Sequence, residues 1–241
     1  MVVLMDSNCI QMIKYIFFVG RILIDEENFY TYIDSRLLYL LNQFGAKIDY
    51  RNYFAIKDDI IKNRKLSKDS VEELVTQICM VLMPKGYEKM ISRYILPSIE
   101  FAKRHLLYPY DDTIATIETL AKNFRIGIIG NEGEYSKILK TCGMGRYINC
   151  CVLSYKESNE PDREIFGLIL NMLAIKPNET LLVGDRLDLH IYLANALGTI
   201  SIRFYKTIFN LQEARNQNEV PKLTINKLKE LVNSDYMMEQ I

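Results

Sequence analysis

Asp185 follows the apolar run TLLV and Gly184, and His190 stands five residues further on. A carboxylate at the end of a strand can hold a metal, bind a ligand or move a proton, and a nearby imidazole can exchange a hydrogen bond with it. Three acidic clusters lie near other predicted strand ends or domain crossings: Asp25-Glu26-Glu27, Asp111-Asp112, and Glu132 with Glu134. They read first as solvated loops and second as relocated catalytic carboxylates. With His105 and His190 the only histidines, and five cysteines that form no CxxC pair, the chain offers neither a zinc site nor a disulfide framework. Cys150 and Cys151 are adjacent on an extended segment, where successive side chains project to opposite faces, so ordinary burial accounts for them.

The elements that must position these groups follow from the apolar pattern. Tyr15 to Val19 (YIFFV) is rich in aromatic and branched residues and predicts a central strand, continued by Arg21 to Ile24 after Gly20. From Asp25 to about Leu107 the period becomes helical, with stripes in SRLLYLLNQF, YFAIKDDIIKN, SVEELVTQICMVLM and YEKMISRYILPSIEFAKRHLL. Beyond the turn-forming YPYDD, helix and strand alternate. Strands are expected at Arg125–Ile129, Cys150–Leu153, Thr180–Val183, Thr199–Arg203 and Leu223–Ile225. Helices are expected at Thr113–Lys122, Tyr135–Cys142, Asp162–Leu173, Leu189–Leu197 and Lys227–Val232. Repeated units of this kind build a doubly wound parallel sheet, a Rossmann-like α/β fold. The helical run between its first strand and the rest is an insertion. The expected division is residues 1–24 with 108–241 as the α/β core and 25–107 as an inserted helical domain, which the resemblance given below implies is a cap.

Composition bounds the partners. Half the residues are hydrophobic (49%) and a quarter charged, with Lys plus Arg balancing Asp plus Glu at 30 each. That balance gives no general attraction to nucleic acid or to an anionic membrane. The apolar stretch Ile10–Ile24 is interrupted by Lys14 and Arg21 and is too short to span a bilayer. A cytoplasmic protein is expected.

Ligands of open α/β sheets sit at the carboxyl ends of the strands, and those positions carry a resemblance. IKYIFFVGRILID is similar in shape to the opening strand and DxDGT motif of the haloacid dehalogenase-like hydrolases. YPYDDTIATIETLAKNFRIGIIGN resembles the segment leading to their second motif. EPDREIFGLILNMLAIKPNETLLVGDRLDLHIYLANALGTISI resembles the third and fourth, with Pro-Asp, KPNE, VGD and AxxxG at the family spacing. The resemblance covers the core on both sides of the insertion and implies a Rossmann-like core with a helical cap.

It also implies where chemistry should be, and there the chain departs. In ungapped register Phe18 takes the position of the nucleophilic Asp and Gly20 that of the second carboxylate, and no Asp or Glu occurs between Cys9 and Ile24. Gly130, followed by Asn131, replaces the hydroxyl residue of the second motif, leaving a backbone N–H as donor. Glu160 stands where the family has a lysine; Lys156 is the nearest upstream. A carboxylate about 4 Å from a phosphate oxygen repels it by about 4 kcal/mol at an effective dielectric near 20. Of the acidic pair that holds Mg²⁺ in the family's phosphatases, Asp185 remains and His190 replaces its partner, with Asp188 nearby. One carboxylate and an imidazole make a poor Mg²⁺ site, so no cofactor is expected beyond weak Mg²⁺ at Asp185. Asn131, Asp185 and His190 are the candidate ligand-binding residues. Asp185 and His190 are equally suited to tying down their own turn.

The expected function is therefore a pseudoenzyme of this superfamily, a binding, regulatory or assembly module with a small molecule or protein as its partner, either as monomer or oligomer. The alternative is an active hydrolase, a phosphatase of a small phosphate ester before a 2-haloacid dehalogenase, with relocated catalytic residues.

Overall fold

The computed structural model describes residues 3–6, 9–67, 70–83, 85–130, 142–153 and 163–232; for 3–6, 9–12, 151–153 and 163–165 the backbone alone is described. The chain divides into two units, Met1–Ile24 with Pro109–Ile241, and Asp25–Tyr108.

The first unit is built on six strands: β1 (Tyr15–Val19), β2 (Arg125–Gly130), β3 (Ile148–Leu153), β4 (Thr180–Gly184), β5 (Ile200–Phe204) and β6 (Leu223–Ile225). They lie in the order β6-β5-β4-β1-β2-β3, and each neighbouring pair is parallel. β1 is central because its five residues are apolar or aromatic and can be buried on both faces, as an interior parallel strand requires. The chain winds outward from β1 to β2 and β3, then returns to β4 on the other side. The switch point therefore falls between β1 and β4, and a ligand crevice is expected beyond their carboxyl ends. On one face Phe17, Val19 and Leu182 meet Phe166 and Leu170 of the Arg163–Met172 helix and Leu193 and Ala194 of the Tyr192–Leu197 helix. Gly127 is obligatory there, since a Cβ on it would lie 2.3 Å from the Phe17 ring.

The sequence reading differs from the structure at several places in this unit. Residues 10–12, the start of the apolar stretch Ile10–Ile24, belong to an antiparallel pairing of Val3–Asp6 with Cys9–Met12 and not to β1. The run after Gly20 turns instead of continuing the strand, because Gly20 adopts a left-handed φ of 71° and donates its N–H to Ile129 O. The last helix is a 3₁₀ turn, Leu228–Val232. The helix expected at Tyr135–Cys142 lies outside the described residues.

The second unit is helical: Glu27–Gln43, Tyr50–Lys62, Val71–Leu82 and a rod formed by Tyr87–Met90, the π turn Ile91–Ile95 and Leu96–His105. Asp49 and Ser70 cap two of these helices, accepting from Asn52 N–H and Glu73 N–H. Its interior holds a charge: Asp34 accepts from Lys57 Nζ at 2.5 Å and Tyr53 Oη at 2.9 Å. Burial, then the Asp34 charge, push the Tyr53 phenol well above its usual range. No helix among the described residues is long and apolar enough to cross a membrane.

Candidate functional site

At the carboxyl edge of the first unit, β1 ends in an apolar plug. Phe18 has no solvent exposure and lies in register between Ile128 of β2 and Val183 of β4. Those neighbours are branched and apolar, so the place where a strand-end nucleophile would stand is filled by packing. Gly20 carries the chain away through its left-handed turn. Gly130 ends β2 and is buried. Asn131 and Glu160 fall outside the described residues, as do Lys156, Glu132 and Glu134.

The end of β4 is polar and closed on itself. Asp185, 5% exposed, meets the Nδ1 of His190, 1% exposed, at 2.9 Å. His190 gets there by a wide turn: its own N–H and that of Ile191 both donate to Arg186 O at 3.0 Å, the pattern of the π turn Leu187–Ile191. Gly184 makes room, because a Cβ there would lie 2.4 Å from His190 Cβ. The backbone N–H groups of Asp185 and Arg186 each approach Nδ1 at 3.4 Å. The shorter contact to a carboxylate decides the tautomer, with Nδ1–H donating to Asp185. Burial alone would raise the Asp185 carboxyl. The His190 hydrogen bond and charge, the Thr207 hydroxyl and the Arg186 charge outweigh it and hold that carboxyl below its usual range.

Arg186 and Asp188 form a second pair in the same turn, Nη2 to Oδ2 at 2.9 Å and Nε to Oδ1 at 3.3 Å. The Arg186 guanidinium, 1% exposed, lies 5.0 Å from the Phe209 ring centre. Gln212 Oε1 accepts from Leu187 N–H, and the buried Arg203 donates to the carbonyls of Phe209, Asn210 and Gln212. The sequence reading singled out Asp185 and His190 and missed Arg186, Thr207 and Gln212. Gln212 stands 25 residues from the N–H it satisfies, so no local pattern marks it.

Two of the suspected relocated carboxylates are engaged elsewhere. Asp112 Oδ2 accepts from Lys229 N–H, and Asp25 Oδ1 from Glu27 N–H at the start of a helix. Among the described residues no group of three His, Cys, Asp or Glu side chains is placed to hold a metal ion.

A family model for haloacid dehalogenase-like hydrolases matches residues 9–203. The chain belongs to that family. A glyceraldehyde 3-phosphate phosphatase of Methanocaldococcus jannaschii is 29% identical over 195 residues, 78% of this chain and 81% of the relative. One of Methanopyrus kandleri is 30% identical over 131 residues, 52% of this chain and 56% of the relative, so that match spans little more than half the relative's length. The crystal structure of a haloacid dehalogenase-like family hydrolase from Xanthomonas campestris shares the fold, with a TM-score of 0.65 at 13% identity over 95% of this chain and 96% of its own.

Haloacid dehalogenase-like phosphatases imply Mg²⁺ at the fourth motif, and the donors here do not fit it. Asp185 is bonded to an imidazole N–H, Asp188 to a guanidinium, and β1 supplies no carboxylate. A divalent cation entering this turn would have to displace the imidazole N–H from Asp185 and the guanidinium from Asp188, and it would gain no third carboxylate from β1 in exchange.

Proposed function

We propose that this haloacid dehalogenase-like protein is a binding module that has lost covalent phosphoryl transfer while keeping the family's sheet and its fourth-motif turn. The observation that carries this reading is the fully buried Phe18, packed in register against Ile128 and Val183 where the resemblance puts the nucleophile. A phosphoenzyme step needs an anionic oxygen at that point, and a phenyl ring offers none. The polar groups at the end of β4 serve each other, and their role is to hold the edge of the crevice in shape.

A second reading is favoured by a specific finding, the phosphatase names of the two relatives, which support the alternative of an active phosphatase better than they support loss of chemistry. On that reading the substrate is a small phosphate ester and the nucleophile comes from a relocated carboxylate. The experiment that separates the two measures phosphate release from glyceraldehyde 3-phosphate and from p-nitrophenyl phosphate with Mg²⁺ present. The binding-module reading expects no turnover above that of the Asp185→Asn variant. Loss of an equivalent group in other hydrolases costs about 10⁶ in turnover. Release at ordinary enzymatic rates, abolished in Asp185→Asn, would overturn it in favour of the phosphatase.

A further inference from the structure

The opposite, amino-terminal edge of the same sheet carries an open hollow of about 580 Å³ where β1 and β2 begin. Its position is roughly 13 Å along β1 from the carboxyl edge, four residues at about 3.3 Å each. Three of its lining side chains, Lys14, Lys122 and Arg125, are cationic, and no carboxylate lines it. Ile13, Tyr15 and Phe124 form apolar wall. In a chain of zero net charge this is a local concentration of positive groups.

The three cations differ in readiness. Lys14 is paired with Glu179 at 2.9 Å. Lys122 is exposed, and its ammonium meets no acidic partner among the described residues. Arg125 is held in place: Nη1 donates to Tyr15 Oη at 3.2 Å and the guanidinium lies 5.7 Å from the Tyr15 ring centre. Tyr15 stacks on Phe17 at 6.4 Å, and Phe17 meets Phe166 edge-on at 5.1 Å. Phe17 and Phe166 are fully buried. The guanidinium thus rests on an aromatic column rooted in the core, with one N–H engaged by the Tyr15 hydroxyl. Its remaining N–H groups form a fork that matches the paired oxygens of a phosphate group.

From this we propose that the cleft is a second small-molecule site, specific for a phosphate-bearing molecule whose apolar part lies against Ile13 and Phe124. Arg125 presents its fork to the phosphate and Lys122 supplies the second charge. The volume falls within the range of about 300 to 1,000 Å³ usual for such sites. The site is independent of whether the carboxyl edge retains chemistry.

The test is calorimetric titration of the whole protein at low ionic strength with inorganic pyrophosphate, with AMP, and with adenosine as the uncharged comparison. Pyrophosphate and AMP are expected to bind saturably at one site and adenosine not at all. Arg125→Gln should weaken binding by about tenfold, the share of one charge-assisted contact. Arg125→Lys should recover part of that loss, and Lys122→Glu with Arg125→Glu should abolish binding. Both side chains are exposed, so melting without ligand should fall only slightly in any variant, by the loss of the Tyr15 contacts and of the cations at the helix end. If no phosphate compound binds, the cations serve only solvation and the carboxyl end of the Thr113–Leu120 helix, and the proposal fails. It fails equally if the double charge reversal binds as well as the native chain.

Discussion

The ends of β1 and β4 are neighbours in one sheet, yet they are closed in opposite ways. β1 ends in Phe18, held by contact with Ile128 and Val183, with no charge in it. β4 ends in Asp185, held by His190, with Arg186 and Asp188 paired beside it. In the phosphatases of the resemblance a divalent cation spans these two ends, so the charge of one depends on the other. Here each end is complete alone. On the proposed reading, the difference teaches that the His190 imidazole and the Arg186 guanidinium can engage the carboxylates of the fourth-motif turn in place of a metal. Gly184 and the αL Gly198, which caps the Tyr192–Leu197 helix, shape the backbone in either case.

The sharpest way to break the comparison is to move charge into the apolar end. Phe18→Asp should destabilise the protein by about 5 kcal/mol or more, since truncating a buried Phe costs about 3–5 kcal/mol and a buried polar group without a partner adds to it. Chemical denaturation measures it. A loss below that of Phe18→Ala would mean that water or a cation reaches the end of β1, and the two ends would not be independent.

At the polar end the expected effect is somewhat smaller. Asp185→Ala breaks a buried pair and should cost about 3–5 kcal/mol, while Asp185→Asn should cost less because the amide can still accept from His190. The acid dependence has a definite sign. The Asp185 carboxyl is held low in the folded chain, so its contribution is complete above the unfolded value of about 3.9 and is lost as pH falls through the folded one. The stability gap between the native chain and Asp185→Asn should therefore narrow below about pH 4. A gap that stayed constant down to pH 2 would contradict the pairing.

Smaller still is the response to Mg²⁺. If His190 and Arg186 occupy the carboxylates of the turn, about 10 mM Mg²⁺ should stabilise it by no more than about 0.4 kcal/mol, the value for a dissociation constant equal to that concentration. A larger increase in melting temperature that disappears in Asp185→Asn would restore the metal to this site.

Much of this architecture is legible in the sequence. YIFFV, RIGII and TLLV are short apolar runs with turn residues behind them, and parallel strands buried on both faces give that pattern. The burial of Phe18 is legible too, because it stands inside one of these apolar runs. What the sequence does not disclose is how the remaining polar groups are used. Asp185 and His190 have a motif spacing whether they hold a metal or each other. The π turn at 187–191 precedes the α segment Tyr192–Leu197 and is wound with a different spacing from it, so the helical stretch starts at Leu187 rather than at the expected Leu189. Arg186 is hidden for a different reason. A residue that is almost always solvated gives no sign in sequence that an aromatic ring and a carboxylate have taken it into the core.

The last and smallest expected effect is on activity. Phe18→Asp combined with Gly20→Asp restores both first-strand carboxylates of the resemblance, and this double variant should show no phosphatase turnover. Position 20 requires a left-handed φ, which Asp tolerates at a modest cost. The obstacle is charge. Two new carboxylates would join Asp185 at the sheet edge, the resemblance implies Glu160 as a further one, and the site would repel a phosphate ester. His190 would remain bonded to Asp185, and Gly130 would still lack a hydroxyl. Adding Glu160→Lys turns repulsion into attraction, Gly130→Ser supplies the donor, and His190→Asp supplies the second acidic ligand of the fourth motif. Phosphate release should therefore appear only in the multiply substituted chain, measured on variants shown to be folded. Turnover at ordinary rates in the double variant would mean that Glu160 does not occupy the lysine position, and Lys156 would then be the group that meets the phosphate.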